Sequence, residues 1–325
     1  MSQPPDPALE RTMRPNPENC AFDLPTALDC IVSLRSQIPE DGLTASVLGT
    51  ERAGHGVVIT DDQLVITIGY LITEAESIWI TTNDGVTVPG HVVGYDQETG
   101  FGLVQALQPM GTPSMALGDS AALQVSDELI TAGCGGLDQA IKTILIAKRE
   151  FAGYWEYVLD EALFTAPPHP NWGGAGLIGE DGKLVGIGSL LVQQIGEGGE
   201  QSGANMIIPI DLLKPILDDL RMYGKRNAPP RPWLGFLVQE VSHHLVVSGV
   251  YDDCPAASAG LQVGDVIREV DGEPISGLAN LFRRIWRTGE AGVDVPLTIV
   301  RNRESMTISV RSTDRSRCLK SASIH

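Results

Sequence analysis

The chain contains no uninterrupted apolar run of about 18 residues, so its sequence offers no transmembrane helix. Cations are scarce. Lys and Arg number 23 against 41 Asp and Glu, a net charge of −18 over 325 residues, and that balance excludes a nucleic-acid-binding surface or an anchor on anionic lipid. Cysteine is sparse too. Cys20, Cys30, Cys134, Cys254 and Cys318 are odd in number, far apart and without CxxC spacing, which excludes a disulfide frame and a zinc site and leaves reduced thiols. Met1 to Pro7 show no basic or apolar leader segment, so no secretory signal is expected. Together with the reduced thiols this predicts a cytoplasmic location, with the periplasm as the alternative. No cofactor and no metal are expected.

Glycine and proline are plentiful, at 36 and 21 residues, while aromatics make up 5%. That composition suits a turn-rich, mainly β protein. Cys30–Leu34, Ala53–Ile59, Leu64–Ile68, Ile78–Thr82, Val86–Val88, His91–Tyr95 and Phe101–Gln105 read as short strands, and Asn83-Asp84-Gly85 is a strong hairpin turn. A second run follows, at Glu128–Gly133, Lys142–Ala147, Tyr154–Val158, Leu163–Thr165, Leu184–Val192 and Ala204–Ile208. Two small barrels with a site between them fit this spacing. Pro209 to Tyr223 then reads as a helix ended by Gly224, and Asn227 to Pro232 as a stiff linker.

The chemistry gathers around Pro167-Pro168-His169-Pro170-Asn171-Trp172-Gly173-Gly174-Ala175, followed by a hairpin turning at Asp181-Gly182 and the strand Leu184-Val185-Gly186-Ile187. Paired glycines permit close backbone approach and positive φ, as an active-site elbow requires. The order of parts resembles the nucleophile loop of the HtrA/Deg branch of trypsin-like serine proteases. The likeness covers about residues 25–210 and implies a trypsin-like double β-barrel. From Trp233 to Ser312 the chain resembles an HtrA-type PDZ domain, through Trp233-Leu234-Gly235-Phe236, Pro255 to Ile267 and Val270 to Ile275. The expected division is a disordered leader over 1–24, the degenerate protease over 25–210, helix and linker over 211–230, a PDZ domain over 231–312 and a loose tail over 313–325.

A serine protease needs a hydroxyl nucleophile, an imidazole base, an orienting carboxylate and N–H donors for the oxyanion. The resemblance puts the base at Tyr70 in Thr67 to Ile72, the carboxylate at Gly100 in Asp96 to Gly102, the nucleophile at Trp172 and an oxyanion donor at Pro170. Phenol is a poor base at neutral pH, indole has no hydroxyl, and proline has no N–H. Losing a nucleophile alone costs about six orders of magnitude in kcat. The resemblance therefore implies a pseudoprotease. An active endopeptidase is the alternative, and it needs a rebuilt site, for example at Ser189. His169 near Asp160-Glu161 reads as a surface histidine in a proline-rich loop, ahead of a new acid–base pair. Cys134 reads as a small hydrophobe ahead of a nucleophile. His243-His244 read as a solvated pair ahead of a metal site.

The PDZ-like part keeps what β-addition requires. Trp233, Leu234, Gly235 and Phe236 form the carboxylate loop, Leu237 to Val241 the edge strand, and Leu278, Leu281 and Ile285 one groove-facing side of a helix over Gly277 to Thr288. Arg283 and Arg284 read equally as help for an anionic terminus or as a solvated helix face, and Leu261, Ile267 and Val270 are core. The partners implied are protein C-termini or unfolded peptides, with an active protease relative or a homo-oligomer as further possibilities. The family's N-terminal trimer contact would fall on Phe22.

Overall fold

The computed structural model describes residues 11–195 and 201–320. The first barrel is built from β1 (Ile31–Gln37), β2 (Glu51–Val58), β3 (Leu64–Ile68), β4 (Ser77–Thr81), β5 (Thr87–Tyr95) and β6 (Phe101–Ala106). It closes in the order β1-β2-β3-β6-β5-β4. Period-two alternation fixes its register: Val32 and Leu34 point inward from β1 while Arg35 faces solvent. Helix α1 (Leu24–Asp29) precedes this barrel, capped by the Asp23 carboxylate on Thr26 N–H, and α2 (Ala45–Leu48) is one short turn between β1 and β2.

The second barrel contains β7 (Glu128–Ala132), β8 (Ala140–Gly153), β9 (Tyr157–Ala166), β10 (Gly176–Ile178), β11 (Leu184–Ile195) and β12 (Gln201–Pro209), closed in the order β10-β11-β12-β9-β8-β7. Strands β8 and β9 form a long hairpin paired as far as Gly153 with Tyr157. Its tip is the turn Tyr154-Trp155-Glu156, where the sequence reading placed a strand. Trp155 folds over Gly153 so closely that any Cβ there would lie 2.6 Å from the indole, and Glu156 takes φ of 59°.

The third unit is a sheet in the order β13-β14-β15-β17-β18, with β16 beside β15. Its strands are β13 (Phe236–Val241), β14 (His244–Val250), β15 (Val266–Val270), β16 (Glu273–Pro274), β17 (Asp294–Arg301) and β18 (Glu304–Arg311), accompanied by α4 (Pro255–Ser258) and α5 (Leu278–Arg287). Leu234, Phe236, Val238, Leu281, Phe282, Ile285 and Leu297 form its core, and Val158 of β9 belongs to the same cluster.

Several expectations are corrected. The helix read over Pro209–Tyr223 is split into a 3₁₀ turn (Ile210–Leu212) and α3 (Leu217–Tyr223). Pro215 has no N–H to donate and disfavours helical backbone at Lys214. The part of the expected leader that is described holds 3₁₀ turns at Arg11–Met13 and Pro17–Asn19. Phe22, half-buried, lies over the Gly182 turn of its own chain. In the expected loose tail, Arg315–Arg317 form a 3₁₀ turn and Lys320 N–H donates to Glu74 at 2.9 Å. The linker is pinned, with Arg226 on Asp96 at 2.9 Å, Arg231 on Glu98 at 2.7 Å and the Arg231 guanidinium over Trp286.

Candidate functional site

The glycine end of the loop over 167–175 is held by its main chain. Gly173 carbonyl accepts from His55 N–H at 2.8 Å, Gly174 N–H donates to Gly188 carbonyl at 2.9 Å, and Ala175 N–H donates to Trp172 carbonyl at 3.1 Å. Gly174 has φ of +78°, and a Cβ there would stand 1.8 Å from the His55 carbonyl oxygen. Only glycine fits.

Tyr70 lies in the 3₁₀ turn Gly69–Leu71 after β3, and Gly69 N–H donates to Gly100 carbonyl at 2.7 Å. Its hydroxyl donates to Ser189 carbonyl at 3.0 Å, and it also meets Trp172. Burial pushes the phenol well above its ordinary range, so it stays protonated. Tyr70, Gly100, Trp172 and Ser189 line a single cavity of about 320 Å³, with Trp155 and Tyr157 of the β8–β9 hairpin as another wall. Three positions read from separate motifs thus meet in space. Pro170 is exposed nearby. Asp96, also in the wall, is committed to Thr99 and Arg226. No histidine lines this cavity among the described residues.

Two imidazoles do sit behind the loop. His55 on β2 accepts Cys134 N–H on Nδ1, and its ring lies 6.5 Å from that of His169. Burial, then the neighbouring His169, pushes His55 down to about 4, so it is neutral. His169 is not a surface residue. It is fully buried, its N–H donates to Asn205 Oδ1 at 2.6 Å, and its Nε2 lies 3.1 Å from Gln139 carbonyl. The proline-rich text around it gave no sign of this, because its partner is 36 residues away on β12. Burial pushes the Cys134 thiol up to about 11, which leaves it a thiol and not a nucleophile. Ser189 is buried in β11. His243 and His244 are exposed at the β13–β14 turn. Among the described residues no cluster of three His, Cys, Asp or Glu could hold a metal ion.

The loop expected to receive a carboxylate holds that of Glu156. Gly235 turns at φ of +81°. Leu234 and Gly235 N–H groups converge on the Glu156 carboxylate at 3.3 and 2.9 Å, and Phe236 N–H also interacts with it. Burial pushes Glu156 up to about 7, although the three amides and Arg315 pull the other way. Trp233, Leu234, Phe236, Leu281 and Ile285 are all buried, while Leu278 is half-buried. The open groove expected from these residues is corrected: strands β8 and β9 cover it. Arg283 on α5 pairs with Glu150 and Asp160 of that hairpin, and Arg284 reaches Glu273 at 3.4 Å.

Comparison with known proteins matches residues 54–187 to the trypsin-like peptidase domain and residues 232–311 to the PDZ domain. A probable periplasmic DegP-like serine endoprotease of Pseudomonas putida (strain W619) is 31% identical over 275 residues, covering 79% of this chain and 55% of the relative. The periplasmic pH-dependent serine endoprotease DegQ of Escherichia coli (strain K12) is 28% identical over 276 residues, covering 80% and 59%. The chain therefore spans about half the length of the curated relatives it matches. Among solved structures, an HtrA-type protease AlgW variant with a decapeptide aligns with a TM-score of 0.51 at 20% identity, covering 88% of this chain and 94% of that one. A serine endoprotease from Yersinia pestis aligns at 0.52 and 20%, covering 91% and 99%. These structures show the fold. The relatives' names also overturn the cytoplasmic expectation, since they are periplasmic endoproteases. Free thiols were a weak guide, because an oxidising compartment permits disulfides without requiring them.

Proposed function

We propose that this chain, which belongs to the HtrA/DegP family and joins a trypsin-like peptidase domain to a PDZ domain, is a non-catalytic peptide- and protein-binding factor. It acts as a scaffold, a chaperone-like holder or a regulator, and recognition lies in the PDZ unit. The working division is a peptidase-like unit over 25–210, a connector over 211–230 and a PDZ unit over 231–312.

The carrying observation is the cavity where Trp172 meets Tyr70. The Tyr70 hydroxyl is spent on the Ser189 carbonyl, and no imidazole lines the cavity among the described residues. Acyl transfer needs a nucleophile polarised by a base and an oxyanion cradle. Trp172 has no hydroxyl, Gly100 no carboxylate and Pro170 no N–H, and the buried Tyr70 phenol stays protonated and is no base. The test is casein degradation by the purified chain beside Trp172→Ala, with a fluorophosphonate probe. The reading expects neither cleavage nor labelling.

A second reading, an active endopeptidase, is favoured by the names of the relatives. It requires an aliphatic hydroxyl in the cavity; the wall holds Thr44 and Ser189, and the Thr44 hydroxyl donates to Glu74 at 2.6 Å. Labelling at Ser189 that disappears in Ser189→Ala would establish it.

A further inference from the structure

A peptide C-terminus held by β-addition supplies a carboxylate to a loop of N–H groups, main-chain bonds to an edge strand and an apolar side chain to the pocket between strand and helix. The end of the β8–β9 hairpin supplies a counterpart to each, with one main-chain bond to the edge strand. Glu156 places its carboxylate on the amides of Leu234 and Gly235. Tyr154 carbonyl accepts Val238 N–H at 3.0 Å, and β13 is the end strand of its sheet, with β14 on its other side. Val158 completes the apolar cluster with Leu234, Phe236, Leu281 and Ile285. The ion pairs from Arg283 to Glu150 and Asp160 clamp α5 onto the hairpin.

We propose that the β8–β9 hairpin is an internal pseudo-ligand that occupies the PDZ groove, so that an outside peptide with a free C-terminal carboxylate and an apolar last residue binds by displacing it. This rests on the peptide-binding role argued above. A groove competent for only a fraction of the time binds with its affinity reduced by that fraction. Removing Glu156 removes the competitor's anchor but leaves the amides that would hold the outside carboxylate. Displacement also reaches the other site, because Trp155 and Tyr157 wall the cavity that holds Trp172. Filling the groove therefore alters that cavity.

The test measures fluorescence polarisation of labelled decapeptides ending in Tyr-Trp-X, with X as Val, Leu, Ile, Phe or Ala, against their amidated twins. The protein is the full chain, as wild type, Glu156→Ala, and the double variant Glu150→Lys with Asp160→Lys. The double variant changes only exposed or half-exposed carboxylates and repels Arg283 without touching the amide loop. The expected result is at least about ten-fold tighter binding in both variants than in wild type, with amidated peptides failing throughout. Hydrogen exchange at Leu234 to Val238, measured without peptide, provides the second readout and is expected to speed up in both variants. Equal affinity in all three proteins would overturn the pseudo-ligand while leaving peptide binding intact. Faster exchange without binding of any peptide would support the internal occupant and overturn the peptide-binding role. Unchanged exchange in both variants would overturn the occupant.

Discussion

Raising the pH should loosen the contact between hairpin and PDZ unit. Glu156 has an ordinary pKa of 4.5 and stands at about 7 when docked, because burial outweighs its three amide donors. The docked state therefore keeps a proton that the released hairpin gives up. Its stabilisation is complete below about pH 4.5 and is lost as pH rises through 7. Linkage with these two values makes the docking constant fall about 30-fold between pH 5.5 and pH 8, or about 2 kcal/mol. The Tyr251 phenol beside Glu156 does not interfere, because burial raises it further above neutrality. A global melt would mix this with His55, which runs the opposite way. Its pKa is depressed to about 4, so its contribution is present above 6.5 and is lost as pH falls. The assay must be local. Hydrogen exchange at Leu234, Gly235 and Phe236, corrected for the intrinsic pH dependence of exchange, should show protection falling with pH in wild type and a flat profile in Glu156→Gln. Protection that is constant or rises with pH in wild type would refute the reasoning.

Three further outcomes follow from packing. Arg226→Ala leaves the Asp96 carboxylate, 4% exposed, without its guanidinium, and should cost about 3 kcal/mol in denaturant unfolding. Gly235→Ala forces a Cβ to 2.7 Å from that of Cys254 at φ of +81°. It should lower the PDZ unit's stability by at least about 1–2 kcal/mol, seen as a lower Tm in a thermal scan. Cys134, pushed up to about 11 by burial, should react with iodoacetamide at pH 7.5 far more slowly than a free thiol with its ordinary pKa, as read by mass spectrometry.

Strand alternation made both barrels legible, and the Gly-Leu-Gln-Val-Gly-Asp run of residues 260–265 with its flanking text made the PDZ sheet legible. Trp172, Tyr70 and Gly100 were each read from a local motif, and their meeting in one cavity is a property of tertiary closure that those motifs presuppose. Long-range pairings escaped. Nothing local to His169 names Asn205, and nothing in Tyr154-Trp155-Glu156 names Leu234, about 80 residues on. Its aromatic density imitates a strand, while Gly153, which leaves room for the Trp155 ring, makes the turn. Leu281 and Ile285 were assigned correctly to one side of a helix, but sequence periodicity cannot say what already lies against that side.

The nucleophile loop has a last consequence. The shape of its glycine end is secured by hydrogen bonds among Gly173, Gly174, Ala175, Gly188 and His55, all through main-chain atoms. None of them depends on the side chain at position 172. Selection can therefore rewrite that side chain while the peptide on which it is mounted stays in place. A different side chain at that position is thus compatible with the same two-barrel frame and with everything the PDZ unit carries.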